Sequence, residues 1–171
     1  MKYMLLKKSI FAVIFVIVVS ASVLYEEITV PQETQGKILK VYDGDTITIL
    51  NNNNEKIRIR LFGLDAPESN QSFGNISTKN LQTLCPIDSI ANVKIKDKDK
   101  YGRIVGIVFC DGVNVNANQV KNGFAWAYSE YAYRYIPLEM LARIQKKGLW
   151  SESNPIKPSD FRKKQKRKNG A

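Results

Sequence analysis

The chain has 171 residues, 44% of them hydrophobic, which is enough for one modest globular domain. Its formal charge is +10, from 26 Lys and Arg against 16 Asp and Glu, an excess that favours a polyanionic partner such as nucleic acid or an anionic membrane. It contains no histidine, which excludes His-based acid–base catalysis, His-activated nucleophiles and imidazole metal sites.

The N-terminus reads as a leader rather than as part of the fold. Lys2, Lys7 and Lys8 precede a run of 16 uncharged residues, Ser9 to Leu24. That run is long for a signal-peptide core and short for a ~20-residue membrane span. The lysines before it and Glu26 and Glu27 after it orient the N-terminus inward and predict export. Residues 1–25 are therefore a cleaved signal peptide or a retained membrane anchor. Residues 26–35 read as a polar linker. The far end holds Arg162, Lys163, Lys164, Lys166, Arg167 and Lys168, and residues 156–171 are expected to be a disordered basic tail. Between 36 and 160 there are 17 Lys and Arg against 13 Asp and Glu, so most of the charge is terminal.

The domain, residues 36–155, opens as β structure. "GKILKVY" and "DTITIL" are strands joined through "DG", and "NNNN" is a polar hairpin connection. In "EKIRIRLFGL" the side chains alternate, Ile57, Ile59 and Leu61 on one face and Arg58, Arg60 and Phe62 on the other. "NVKIKD" and "RIVGIVFC" add two strands across a charged turn, "KDKYG". Helices are predicted over 75–84, over 115–122 ending at Gly123, and from Pro137 through Ile144 to a stop at Gly148. Five short strands with interspersed helices predict an α+β, mainly β fold: a five-stranded OB-type barrel with about three helices packed outside.

Acidic residues interrupt this apolar pattern at two loops. Asp43 and Asp45 flank Gly44 in the first hairpin, where Asp and Gly suit a tight turn, and Asp65 and Glu68 follow the strand that carries Arg60. Oxygen-only clusters suit Ca²⁺, and Arg103 after "DKYG" supplies a second fixed cation. Carboxylates, two arginines and no imidazole fit phosphodiester hydrolysis. A hard cation orients phosphate and water, a carboxylate accepts the proton, and guanidinium forks meet the growing negative charge.

"DGDT" (43–46), "RLFGLDAPE" (60–68) and "DKYGR" (99–103) resemble the motifs of the thermonuclease family, typified by staphylococcal (micrococcal) nuclease. The likeness continues through "VNANQVKNGFAWAY" and "ARIQKKGLW", covering about residues 36–153. The resemblance implies an OB-fold barrel with three helices and Ca²⁺-dependent cleavage of DNA and RNA with little sequence preference. By position it implies that Asp45 and Asp65 are Ca²⁺ ligands, joined by the Ala66 carbonyl, and that Arg60, Glu68 and Arg103 are catalytic. Lys100 and Tyr101 would lie near a phosphate. Ala66 stands where the best-known member has threonine, and Asp43 keeps only the turn role.

Phe124, Trp126, Tyr128, Tyr131, Tyr133 and Tyr135 cluster in "FAWAYSEYAYRY". Phe124 and Trp126 are expected to be packing residues, as is Trp150. Family position makes Tyr128 and Tyr131 the candidates for stacking on bases of single-stranded or locally unpaired DNA or RNA. Cys85 and Cys110 are either a disulfide, as an even pair in an exported chain suggests, or two buried thiols. The expected protein is an exported monomeric nuclease, tethered to the membrane if its leader is retained. The competing readings are a catalytically silent recognition module and a basic protein of the membrane surface.

Overall fold

The period-2 alternation of the first half and the helical periods of the second are both realised in a computed structural model, which describes residues 14, 32–128 and 133–169. The strands are β1 (Glu33–Asp43), β2 (Thr46–Asn51), β3 (Lys56–Leu61), the short β4 (Leu64–Asp65), β5 (Ile90–Lys98), β6 (Ile104–Cys110), and the short β7 (Val113–Asn114) and β8 (Trp126–Ala127). The helices are α1 (Gly74–Leu84), α2 (Val115–Lys121), α3 (Ile136–Ile144) and α4 (Pro158–Asn169). Apart from residue 14, the leader lies outside the described residues, as does the linker before residue 32. Among the described residues no helix is long and apolar enough to cross a membrane.

Five strands close into the expected barrel. β2 pairs antiparallel with β1 and β3, and β5 pairs antiparallel with β1 and β6. The ring closes through a parallel register, Ile59 with Ile104, Arg60 with Val105 and Leu61 with Gly106. Irregular registers in β1 and β5 mark bulges, which bend strands enough for a small barrel to close. Ile38, Ile47, Ile49, Ile59, Leu61, Val93 and Val108 fill the interior, all fully or almost fully buried. Each such side chain contributes roughly 1.5–3 kcal/mol on removal from water. The β3 alternation therefore has a consequence: with Ile59 and Leu61 committed to the core, Arg60 must face the other side.

The helices pack outside. α1 buries Gly74, Ser77 and Leu81, and α2 is capped by the Asn114 side chain, which accepts from Ala117 N at 3.0 Å. α3 carries Pro137 in its first turn, as expected. Gly123 follows the end of α2 as expected, whereas α3 already ends at Ile144 and Gly148 opens a 3-10 turn; the two glycines meet. Gly123 and Gly148 have φ of +71° and +54°, and Leu149 N donates to Gly123 O at 2.8 Å. A Cβ on Gly123 would lie 2.2 Å from Lys147 O, so only glycine fits this junction. Trp126 and Trp150 are buried edge-to-face with centroids 4.4 Å apart, in keeping with packing roles. Cys85 and Cys110 are disulfide-bonded with Cα atoms 5.5 Å apart, which ties the end of α1 to the end of β6.

One expectation fails. The basic tail is not disordered over Pro158–Asn169; it forms α4, a fourth helix outside the barrel. Its anchors come from elsewhere in the chain. Gln71 Nε2 donates to Ile156 O at 2.7 Å, the Ser72 hydroxyl donates to Glu152, and Phe161 forms one wall of a small cleft with Pro67 and Trp126. Lys163, Lys164, Lys166 and Lys168 remain exposed to solvent, where their mutual repulsion is screened.

Candidate active site

The two acidic loops converge on Arg60. In the β1–β2 turn, Asp43 Oδ1 accepts Asp45 N at 3.0 Å, the side-chain-to-backbone bond expected of a turn residue. Gly44 is not among the glycines with positive φ. Space explains it instead, since a Cβ there would sit 1.8 Å from Ser77 Oγ of α1. The turn is thereby pressed against α1, and Asp45 is carried inward to 3% exposure.

Asp45 Oδ1 accepts from Thr46 Oγ1 at 2.8 Å and from Arg60 Nη1 at 2.9 Å, and its Oδ2 accepts Ala66 N at 3.0 Å. Asp65, 4% exposed in β4, accepts Arg60 Nη2 through Oδ1 at 2.8 Å. One guanidinium fork thus spans two buried carboxylates contributed from either side of β3. Burial works against the charged Arg60, yet Asp45 and Asp65 more than offset it and hold its pKa above the ordinary value. Burial and the Asp45 charge push Asp43 up to about 7.

The second arginine is fixed by its own turn. Asp99 Oδ1 accepts Tyr101 N at 2.9 Å and Arg103 N at 3.0 Å, while Oδ2 accepts Arg103 Nε at 2.7 Å. This holds Arg103 at the start of β6, next to β3 across the parallel closure. Its Nη atoms carry no hydrogen bond among the described residues. A cleft of about 500 Å³ has Arg60, Asp65, Lys100, Tyr101, Arg103 and Tyr128 in its walls. Tyr101 is 74% exposed, with the Arg103 guanidinium 5.6 Å from its ring centre, and Tyr128 is 38% exposed. Tyr131 lies outside the described residues.

Glu68 follows Pro67 in the loop after β4, with about a third of its side chain exposed. It reaches the site through a residue that the sequence reading placed in a disordered tail. Arg162 of α4 donates through Nη1 to Glu68 Oε1 at 2.6 Å and through Nη2 to Asp65 Oδ2 at 2.9 Å. Two further residues were also missed. Gln119 of α2, fully buried, donates through Nε2 to Gly44 O at 2.6 Å and so holds the Asp45 turn. Asn116, one turn earlier, accepts Val108 N at 2.9 Å and donates to Phe62 O at 2.9 Å just beyond Arg60. Their spacing of three, beside the buried Val115 and Val120, was the readable signal that both amides face inward.

Asp45 and Asp65 offer only oxygen donors, the chemistry of a hard cation, with Arg60 between them as counter-charge. Among the described residues, no group of three or more His, Cys, Asp or Glu side chains is placed to hold a metal ion. A bound cation would therefore draw its remaining ligands from peptide oxygens and water.

A family model described as "Staphylococcal nuclease homologue" matches residues 58–152, more than half of the chain. The chain belongs to the staphylococcal nuclease family. An "Uncharacterized endonuclease" of Haemophilus influenzae is 39% identical over 132 residues, 76% of this chain and 74% of the relative. A "Micrococcal nuclease" of Shigella flexneri is 35% identical over 165 residues, 87% of this chain and 92% of the relative. The family segment contains Arg60, Asp65, Glu68 and Arg103. Asp45 precedes it, and Arg162 with the rest of α4 follows it.

Proposed function

We propose that this member of the staphylococcal nuclease family is an exported, Ca²⁺-dependent nuclease that hydrolyses phosphodiester bonds of DNA and RNA with little sequence preference. The observation that carries this reading is the Arg60 fork, held at 2.9 and 2.8 Å between two buried carboxylates in a cleft that also contains Arg103. Asp45, Asp65 and the Ala66 carbonyl would hold Ca²⁺, which when bound neutralises phosphate charge and orients a water molecule. Glu68 accepts the proton of the attacking water. Arg60 and Arg103 direct their forks at charge that grows on the phosphoryl oxygens, and both are pre-positioned by aspartates, so little reorganisation is needed.

Lys100 and Tyr101 would meet a neighbouring phosphate, and Tyr128 and Tyr131 would stack on unpaired bases, a sequence-tolerant contact. The lysine-flanked apolar run before residue 25 supports export, with membrane tethering if it is retained. The protein is expected to act as a monomer. Cleavage of DNA and RNA by the purified chain, with Ca²⁺ or with a chelator, tests the reading. Cleavage should require Ca²⁺ and be weaker with Mg²⁺, which demands tighter octahedral geometry. Undiminished cleavage in excess chelator would remove the cation. Binding without cleavage in any divalent cation would leave a recognition module.

A further inference from the structure

Arg162 ends the tail's first helical turn on the two carboxylates that the reaction needs most. Its guanidinium meets Asp65 at both oxygens, at 3.2 Å from Nη1 and 2.9 Å from Nη2, and Glu68 at 2.6 Å. These contacts join residues 97 and 94 positions apart in the chain, and nothing in the local sequence of α4 requires them. Asp65 Oδ1 is already shared with Arg60. Every carboxylate oxygen of Asp65 therefore faces guanidinium N–H, and the same group occupies Glu68.

The burial of these acids explains why a second arginine is there. Asp45 and Asp65 are almost fully buried, with Glu68 beside them, and Arg60 supplies only one compensating charge. Without a divalent cation the cluster would carry surplus negative charge in a partly desolvated place, which is unfavourable. Arg162 supplies a second compensating charge, which cuts the surplus from two to one, and the bidentate geometry that a carboxylate prefers. Its own protonation is strengthened there: burial opposes it, but the hydrogen bonds and charges of Asp65 and Glu68 outweigh burial.

We propose that Arg162 is a built-in counter-ion of the cation-free site: it competes with the divalent cation for Asp65 while also pairing with Glu68, and its displacement frees α4. The inference rests on the cation reading given above. Once displaced, Arg162 would stand at the rim of a cleft that already contains Arg60, Lys100 and Arg103, where its fork is free to meet a substrate phosphate. The helix then changes role from clamp on the acids to part of the nucleic-acid surface. The anchors at Gln71–Ile156 and Ser72–Glu152 lie before the helix, so the strap holds while α4, Phe161 included, lifts.

Calorimetric titration of the full chain with Ca²⁺, alongside amide hydrogen exchange over residues 158–169, tests this directly. Arg162→Gln should bind Ca²⁺ roughly three- to tenfold more tightly than the wild type, since one ion-paired competitor is gone. Arg162→Lys should fall between the two, because the charge remains but the fork is lost. In the wild type, saturating Ca²⁺ should reduce exchange protection in α4; in Arg162→Gln that protection should be low from the start and insensitive to Ca²⁺. Equal or weaker Ca²⁺ binding by Arg162→Gln, or α4 protection unchanged by Ca²⁺ in the wild type, overturns the counter-ion role. DNA cleavage, followed in parallel, separates the two levels. A wild-type chain that cleaves and binds Ca²⁺ no differently from the variant sinks the inference alone, whereas a chain that neither binds Ca²⁺ nor cleaves sinks the parent reading together with it.

Discussion

At the scale of single residues, the site depends on forks and on room. Arg60→Lys keeps a positive charge between Asp45 and Asp65 but cannot span both, so kcat should fall by roughly 100-fold or more, as for loss of one preorganised donor. Steady-state kinetics should show that loss at every salt concentration. Asp45→Asn should abolish cleavage and weaken Ca²⁺ binding while circular dichroism stays native, because an amide Oδ1 can still accept from Thr46 and Arg60; the Ala66 N–H loses its acceptor, so Tm should fall modestly. Gly44→Ala places a Cβ 1.8 Å from Ser77 Oγ and 2.8 Å from Ala66 Cβ. Overpacking of that kind costs about 1–3 kcal/mol and should appear as a lowered Tm.

Asp99 provides a pH signature. Burial would raise its pKa, but the Arg103 side chain and the N–H groups of Arg103 and Tyr101 favour the ionised form and lower it from 3.8. A depressed folded-state pKa stabilises the fold fully above the unfolded value and loses that contribution as pH falls through the folded value. The turn should therefore hold through neutral and mildly acidic pH and loosen below about 3.8, seen as faster exchange of the Tyr101 and Arg103 amides.

At the scale of elements, α2 and the disulfide support the site from behind. Gln119 joins the Asp45 turn to α1, since Nε2 also approaches Ser77 O at 3.3 Å and Oε1 accepts from Asn80 at 2.5 Å. Gln119→Leu keeps the volume and strands these buried groups, at about 1–3 kcal/mol. Calcium affinity should weaken along with stability, because the carboxylate of Asp45 is placed by that turn. The Cys85–Cys110 bond closes a loop with a sequence separation of 25 and is far from the cleft. Chain-entropy arguments assign such a loop about 3.5 kcal/mol. The Cys85→Ala/Cys110→Ala double variant should lose stability of that order in urea denaturation while kcat of the folded fraction is retained.

At the scale of the molecule, the positive charge divides by function. Arg162 belongs to the site, whereas Lys164, Lys166 and Lys168 point to solvent on the same helix. Those lysines should act through the phosphate backbone, an attraction that weakens steeply with salt. Replacing all three with Gln should raise KM for DNA at low salt and flatten its salt dependence, with kcat unchanged. A fall in kcat comparable to that of Arg60→Lys would show that the basic face takes part in the chemistry and not in steering alone.

The strands were legible because the alternation of β3 and the short apolar or β-branched runs of the other strands, bounded by turn residues, are local properties. Pro137 and Gly123 punctuate helices locally; the end of α3 at Ile144 was not marked by Gly148. The cleft's acids and arginines were legible as motifs, since chemistry restricts residue type at each position. Three features were decided only by tertiary structure. Gly44 is required by the proximity of α1, not by its own φ. Gln119 matters because the barrel brings the turn before β2 against α2. Finally, α4 has too few apolar residues to be stable alone, and a helix of about 12 residues is marginal in isolation. Its order comes from Phe161 beside Trp126, from the strap on Gln71 and from Arg162 on Asp65 and Glu68. Such partners are remote in the chain, so composition reads the segment as a solvated basic tail, while the fold supplies the acids that turn it into a helix over the site.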